Sequence, residues 1–421
     1  MITDEVTAQG NGSLFSAQKR PVTTMVATSF ISAISNNMTA IAVPWFVLTL
    51  TGSASQTGIT AAVTLLPSVF MSFFGGAVAD RMNARRLSVF SDVMSGATVA
   101  LVPLLFMLDV LSFPLLLLLM FLGAIFDTPG HTARSTMLPR LAERAGMPLE
   151  RINSAMGVSQ SMSSIIGAAA SGILIGLIGA TNVLWFNAIA FGISALAMTL
   201  FIPDLGVNPP SGASLLGDVK TGLRYVLDNS LIRTIIMVSL VVNGVYSPLF
   251  GVVIPYYAKT VYDSAAALGV LSASYGVGML IGSVLYGVIG DKLSKRTQMF
   301  ASVALISLPV AGLIAVPSLG WSIAILLLCS LGSGLVNPMV FTIIMKETPQ
   351  NLLGRVVGVI SAGAMVASPL GMIAVGPVLD SVGLRGTFAG ISAILAAVLV
   401  MVVGNRTIRT IDSREPAPQS A

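Results

Sequence analysis

The sequence predicts an all-α membrane protein with twelve transmembrane helices arranged as two pseudo-symmetric six-helix halves. Composition, the spacing of apolar runs and an internal repeat predict it. Of 421 residues, 55% are hydrophobic and 9% charged, and the mean hydropathy is +0.90, whereas soluble chains carry roughly a quarter charged residues. Runs of about 20 apolar residues or more, each able to cross a hydrocarbon core about 30 Å thick, recur along the chain.

In order, the twelve runs cover 22–50, 56–79, 87–108, 112–133, 152–179, 181–202, 231–258, 266–290, 297–316, 321–345, 355–379 and 385–404. Lipid offers no partner to backbone N–H and C=O groups, so continuous runs of this length are helices rather than the short alternating strands of a barrel. Residues 1–21 form an N-terminal tail, 22–202 the first half, 203–230 a linker, 231–404 the second half and 405–421 a C-terminal tail. The first eighteen residues include Asp4 and Glu5 and lack the basic start and apolar core of a secretory signal, so no cleavage is expected. The linker opens with a Pro, Gly and Ser turn region and continues as an amphipathic helix. Leu215, Leu216, Val219, Leu223, Val226 and Leu227 share one face opposite Asp218, Lys220 and Arg224, which suits a segment lying on the membrane surface.

The net charge of +5 raises the question of an anionic partner such as nucleic acid. The placement of the basic residues answers it. If the N-terminus is cytoplasmic, 20 of the 22 Lys and Arg fall in the tails, the linker and the loops on that side, and only Lys259 and Arg385 fall outside. A bias of this kind orients a multi-pass protein in its membrane and calls for no nucleic acid. The single cysteine, Cys329, lies within the tenth run and reads as a packing residue.

Shifting the sequence by 211 residues aligns Pro44 with Pro255, Gly58 with Gly269, Gly76 with Gly287, Asp80 with Asp291, Arg81 with Lys292 and Arg85 with Arg296. Further on, at an offset of 209, Gly123 to Pro129 matches Gly332 to Pro338. The aligned charges sit after the second run of each half, in GGAVADRMNARR and GVIGDKLSKR. Twelve runs, two halves of one plan, a central linker and Gly76-x-x-x-Asp80-Arg81 after the second run together resemble the major facilitator superfamily over nearly the whole chain. FDTPGHTARSTMLPRL, RINSAMG and IIGAAASG further resemble its bacterial branch of macrolide-type and siderophore-type exporters.

The resemblance implies a monomeric secondary transporter in a bacterial cell membrane that exports an amphiphilic small molecule by alternating access, driven by protons. An uptake carrier of the same fold and a non-transporting sensor are the alternatives. It also implies that Asp80 meets the start of the eleventh helix when the cytoplasmic side is closed, as a latch with Gly76, Arg81, Arg85 and Arg86. Gly287, Asp291, Lys292 and Arg296 would form the counterpart against the fifth helix. A carboxylate beside a helix N-terminus meets unsatisfied N–H groups and the positive end of the helix dipole. The competing reading gives these basic residues to topology alone. The family usually has Gly where this chain has Asn83, Arg where it has Ala84, and Pro in the fifth helix where it has Ala168. Asn83 would supply a left-handed turn, and Asp92 is expected to pair with Arg85 or Arg86, because a lone carboxylate inside a membrane is costly.

In the family the first, fourth, seventh and tenth helices line the central cavity. Here they carry Asn36, Asn37 and Thr39; Asp127, His131 and Arg134; Asn243 and Tyr246; and Asn337. Asp127, His131 and Arg134 follow at i, i+4 and i+7 and so share one helix face. Asp127 is either a proton-coupling group tuned by His131 or a member of the arginine network of the latch. Small-residue pairs such as Gly172 with Gly176 and Gly278 with Gly282 suit halves that rock against each other. No cofactor or enzyme chemistry is expected. The chain has no Gly-Lys pair for a phosphate-binding loop, one histidine and no G-x-S-x-G. A topology reporter fused at residue 421 is expected to read out in the cytoplasm; an external signal contradicts an even number of crossings.

Overall fold

The computed structural model describes residues 19–206, 215–290 and 292–413, with the side chains of 72–81, 215–219, 351 and 413 outside the described set. Every regular element among the described residues is helical. The first half comprises α1 Arg20–Thr51, α2 Ala54–Arg81, α3 Ala84–Met107, α4 Phe113–Arg144, α5 Leu149–Ile178 and α6 Ala180–Phe201. Next come α7 Leu215–Asp228 and α8 Ser230–Pro248, the latter continued by wide turns to Tyr262. The chain ends with α9 Ala265–Ile289, α10 Lys295–Ser307 extended by a tight helix Pro309–Ala315, α11 Leu319–Glu347, α12 Gln350–Gly404 and α13 Arg406–Arg409. Ten helical segments among the described residues are long and apolar enough to cross a membrane.

Two elements account for the difference from twelve runs. The 28-residue α2 is not among the ten. The last two runs are joined in the 55-residue α12, whose length at 1.5 Å per residue, about 80 Å, exceeds two hydrocarbon thicknesses. The break falls at Gly383, with φ 69° and ψ −175°, a conformation a side chain would strain. The fourth run also differs: α4 continues through Pro129 and Pro139 to Arg144. Arg134, counted with the loop charges, is therefore inside a helix, and it is buried.

The turns are set by local capping. Gly52 ends α1 in the left-handed conformation, and the Ser53 hydroxyl accepts from the Gln56 N–H to start α2, so two residues suffice for the connection. Asn83 is not left-handed: at φ −63° it is the N-cap of α3, accepting from the Arg86 N–H. Ala84 is buried with Leu87, Met25 and Met137, where an arginine would have no room.

Within the first half α1 packs on α5 and α6, and α3 on α4 and α6; in the second, α9 packs on α11 and α12 on α8. The face of the bundle carrying Arg20, the α2–α3 turn, α7 and α13 is called here the terminus face, and the opposite one the far face. The α7 helix docks on the second half rather than resting on lipid alone. The Gly222 backbone lies against the Arg355 carbonyl, Val226 is buried with Ile344 and Val356, and the Tyr225 hydroxyl donates to the Glu347 carbonyl at 2.6 Å.

The two halves meet from mid-membrane to the far face. Gly172 of α5 and Gly269 of α9 are so close that a Cβ on Gly172 would lie 2.6 Å from the Gly269 Cα. Gly58 of α2 abuts the Met372 carbonyl of α12, and Gly376 of α12 abuts Ser55. Asp380 caps the start of α2, accepting from the N–H groups of Ala54 and Ser55, each at 2.9 Å, and Lys259 of the second half lies 5.1 Å over the Trp45 ring of the first. The other small-residue pairs act inside the halves. Gly278 and Gly282 seat α9 on α11, and Gly167 seats α5 on α1. A Cβ at Gly278 would stand 2.5 Å from the Leu327 carbonyl. Gly278→Val is therefore expected to destabilise the fold by about 1–3 kcal/mol, the usual cost of overpacking, read as a lower midpoint in detergent unfolding; an unchanged midpoint contradicts the packing.

Candidate transport site

A cavity of about 490 Å³ opens between α1, α4 and α5. Asn36 and Asn37 of α1 and Asp127, His131 and Arg134 of α4 line it, joined by Asn153 and Gln160 of α5. Its polar wall belongs wholly to the first half. A smaller space of about 60 Å³ within the second half, among α8, α10 and α11, is lined mainly by apolar side chains such as Val238, Met299 and Val340, with Asn243 and Asn337 as its amides. The Asn243 amide donates to the Ser239 carbonyl of its own helix at 2.9 Å.

Charge in the polar wall is arranged in two layers. Arg134 forms an ion pair with Asp92 of α3, and its Nε donates to the Ser88 hydroxyl at 3.1 Å. Both partners are buried, Asp92 at 1% exposure and Arg134 at 7%. This corrects the pairing expected for Asp92: Arg85 and Arg86 belong to the α3 terminus, whereas Arg134 reaches Asp92 because α4 does not stop at residue 133. Asp127 has no ion-pair partner among the described residues. Its Oδ2 accepts from the Asn36 amide at 3.4 Å, and Arg134 and His131 of the same helix line the same cavity. His131 is exposed to the cavity.

Other residues predicted for the cavity lie elsewhere. Thr39 accepts from the Asn187 amide of α6 at 2.7 Å, so it ties α1 to α6. Tyr246 is buried, and its hydroxyl donates to the Ile306 carbonyl of α10 at 2.8 Å. Each polar group satisfies a neighbouring helix, a demand that lipid leaves to the protein. Conversely, Asn153 and Gln160, which the sequence left unmarked, line the cavity; their signal was polarity at i and i+7 on the fifth run.

The predicted latch residues are open or undescribed. Gly76, Asp80 and Arg81 belong to the stretch of α2 whose side chains are outside the described set, and Asp291 lies outside the described residues. Arg85 donates to the Thr199 carbonyl of α6, and the Asn83 amide donates to Asp204 at 2.5 Å. The Gly206 N–H and Asn83 hold the Asp204 carboxyl below the usual carboxylate range. In the second half, Lys292 is exposed and Arg296 stacks on Phe300 of its own helix. The Lys295 and Arg296 N–H groups donate to Asp412, at 2.8 and 3.3 Å. A Cβ at Gly287 would meet nothing within 4 Å, so among the described residues no helix packs closely against that position.

The family model described as Major Facilitator Superfamily matches residues 25–362 and 236–421. The chain belongs to the major facilitator superfamily. It is 33% identical to the multidrug efflux pump Tap of Mycolicibacterium fortuitum over 405 residues, 94% of this chain and 98% of that protein. Macrolide efflux protein A of Streptococcus pyogenes is 22% identical over 92% of this chain and 96% of its own. Among solved structures, the nucleoside transporter NupG superposes with a TM-score of 0.74 at 13% identity, over 94% of this chain and 99% of that one. A bacterial homologue of the human lysosomal transporter Spinster does so with 0.71 at 13% identity, over 97% and 100%. This superfamily member is accordingly a multi-pass membrane transporter of the efflux type and not an enzyme.

The Asp92–Arg134 pair gives a direct expectation for the site. Removing one partner of a buried pair strands the other charge, so Arg134→Ala is expected to cost about 3–5 kcal/mol. Asp92→Ala combined with Arg134→Ala is expected to cost less than the two single changes added. Unfolding in detergent across the four-protein cycle checks this; strict additivity contradicts the pair.

Proposed function

We propose that the protein exports amphiphilic small molecules, of the kind a multidrug pump handles, in exchange for protons, and that the 490 Å³ cavity is where cargo and proton meet. The observation that carries this reading is the unequal treatment of two carboxylates. Asp92 is buried and neutralised by Arg134, while Asp127, seven residues before Arg134, faces the cavity with an amide as its polar partner. A carboxyl held inside the membrane without a counter-ion is the group most readily exchanged between ionised and protonated forms as access changes. His131, one turn away and exposed to the same cavity, is suited to pass the proton toward water. Asn36 and Asn37 supply neutral hydrogen bonding, and Met25, Leu138 and Met156 of the same lining supply the surface for the cargo's hydrocarbon part.

The same reading takes α2 and the two arms of α12 as crossings, giving twelve. It places the terminus face in the cytoplasm, in line with the charge bias, so that the conformation described here is open to the inside. It also takes a single chain as the working unit, since the cavity is enclosed by helices of one chain. Asp80 and Asp291 would close the terminus face in the opposite state.

Asp127→Asn is expected to abolish accumulation driven by a pH gradient in proteoliposomes while leaving counterflow exchange and cargo binding intact, because it removes the titrating group without emptying the cavity. Loss of counterflow as well assigns Asp127 to structure instead. Full retention of gradient-driven accumulation refutes the coupling role.

A further inference from the structure

Three contacts between the halves close the far face, and they differ in kind. Between α5 and α9 the approach is glycine on glycine, Gly172 with Gly269, with no charged group in it. Between α1 and α8 it is the Lys259 ammonium over Trp45, and that ammonium is also bound by Asp263 at 2.5 Å. Between α2 and α12 it is Asp380, whose carboxylate takes four hydrogen bonds from one helix start: the Ala54 and Ser55 N–H groups at 2.9 Å each, the Ser55 hydroxyl at 2.5 Å and the Ser53 hydroxyl at 3.2 Å.

The four free N–H groups at the start of α2 are thereby all accounted for. The Ser53 N–H donates to the Thr51 hydroxyl and the Gln56 N–H to the Ser53 hydroxyl, both at 3.2 Å, and those of Ala54 and Ser55 are supplied with an acceptor by the opposite half. A helix start left with two unmet donors next to a carboxylate is completed when the far face closes. The contact stands at the exposed rim, so water can replace each partner when the face opens. The result is an interaction of switch strength rather than of core strength.

We propose that Asp380 is the positioning residue that holds the far-face gate shut: its carboxylate clamps the start of α2 to the end of the first arm of α12, and its release is the step that lets the far face open. The α5–α9 contact, with backbone against backbone, acts as the opposing fulcrum. The proposal needs only that the two halves alternate. It stands or falls separately from the proton reading, since its measurements are distances and not coupling.

The test uses spin-label distances on the full chain with Cys329→Ala as background. One label pair spans the far face, Val110→Cys with Trp321→Cys, and a second spans the terminus face, Leu149→Cys with Leu293→Cys; all four positions are exposed. Asp380→Asn is expected to raise the far-face-open to closed ratio by about tenfold, the effect of weakening a charge-assisted contact. The terminus-face pair is expected to move closer at the same time. Ser55→Ala, which removes one hydroxyl and spares the bonds from the Ala54 and Ser55 N–H groups, is expected to shift both distances in the same directions by less. It keeps the idea testable if Asp380→Asn protein fails to fold. Unchanged far-face distances in the folded variants overturn the proposal, and so does a widening of both pairs together, which marks a residue that only supports the fold.

Discussion

Inside a membrane a carboxylate and a guanidinium neither of which meets water must satisfy each other, and the pairing of Asp92 with Arg134 meets that demand while fixing α3 against α4. Much of the first half follows from it. With its arginine committed to Asp92, α4 presents Asp127 to the cavity with the Asn36 amide as its hydrogen-bond partner, so the two acids stand in different surroundings. A net-neutral buried layer behind a singly acidic cavity wall gives the cavity a sign that its volume alone does not.

The two halves share a plan and divide the labour. Aligned glycines, Gly58 and Gly269, both sit where one half touches the other, so the repeat preserves the interface. The cavity linings diverge. Polar side chains of α1, α4 and α5 line the first-half cavity, its three titratable groups all on α4, while the small space among α8, α10 and α11 is nearly all hydrocarbon. Within the first-half cavity Met25, Leu138 and Met156 stand beside the polar groups, and apolar surface of this kind imposes few directional demands.

The sequence made much of this legible because its main signals are one-dimensional. Apolar length gives helices, charge placement gives a sidedness, and the 211-residue repeat gives a halfway boundary. The i, i+4, i+7 spacing put Asp127, His131 and Arg134 on one face, and all three line one cavity. What stayed hidden depends on which helix neighbours which. Arg134 counted as a loop charge because the apolar run ends at 133, whereas the helix continues to Arg144. Thr39 and Tyr246 resembled cavity residues on their own helices, yet their partners are Asn187 and the Ile306 carbonyl. Asp380 sits at a run's end and touches residues more than 300 positions away, a contact no periodicity announces.

The break at Gly383 has a mechanical meaning. Because a single left-handed residue joins the arms of α12, the hairpin has no slack to absorb strain at its tip. Asp380 lies three residues before that bend, at the free end of one arm, while at the other end the same arm meets Gly222 of α7 through Arg355. One arm, with Pro369 and Pro377 inside it, thus joins the far-face contact at Asp380 to the linker helix docked at its base.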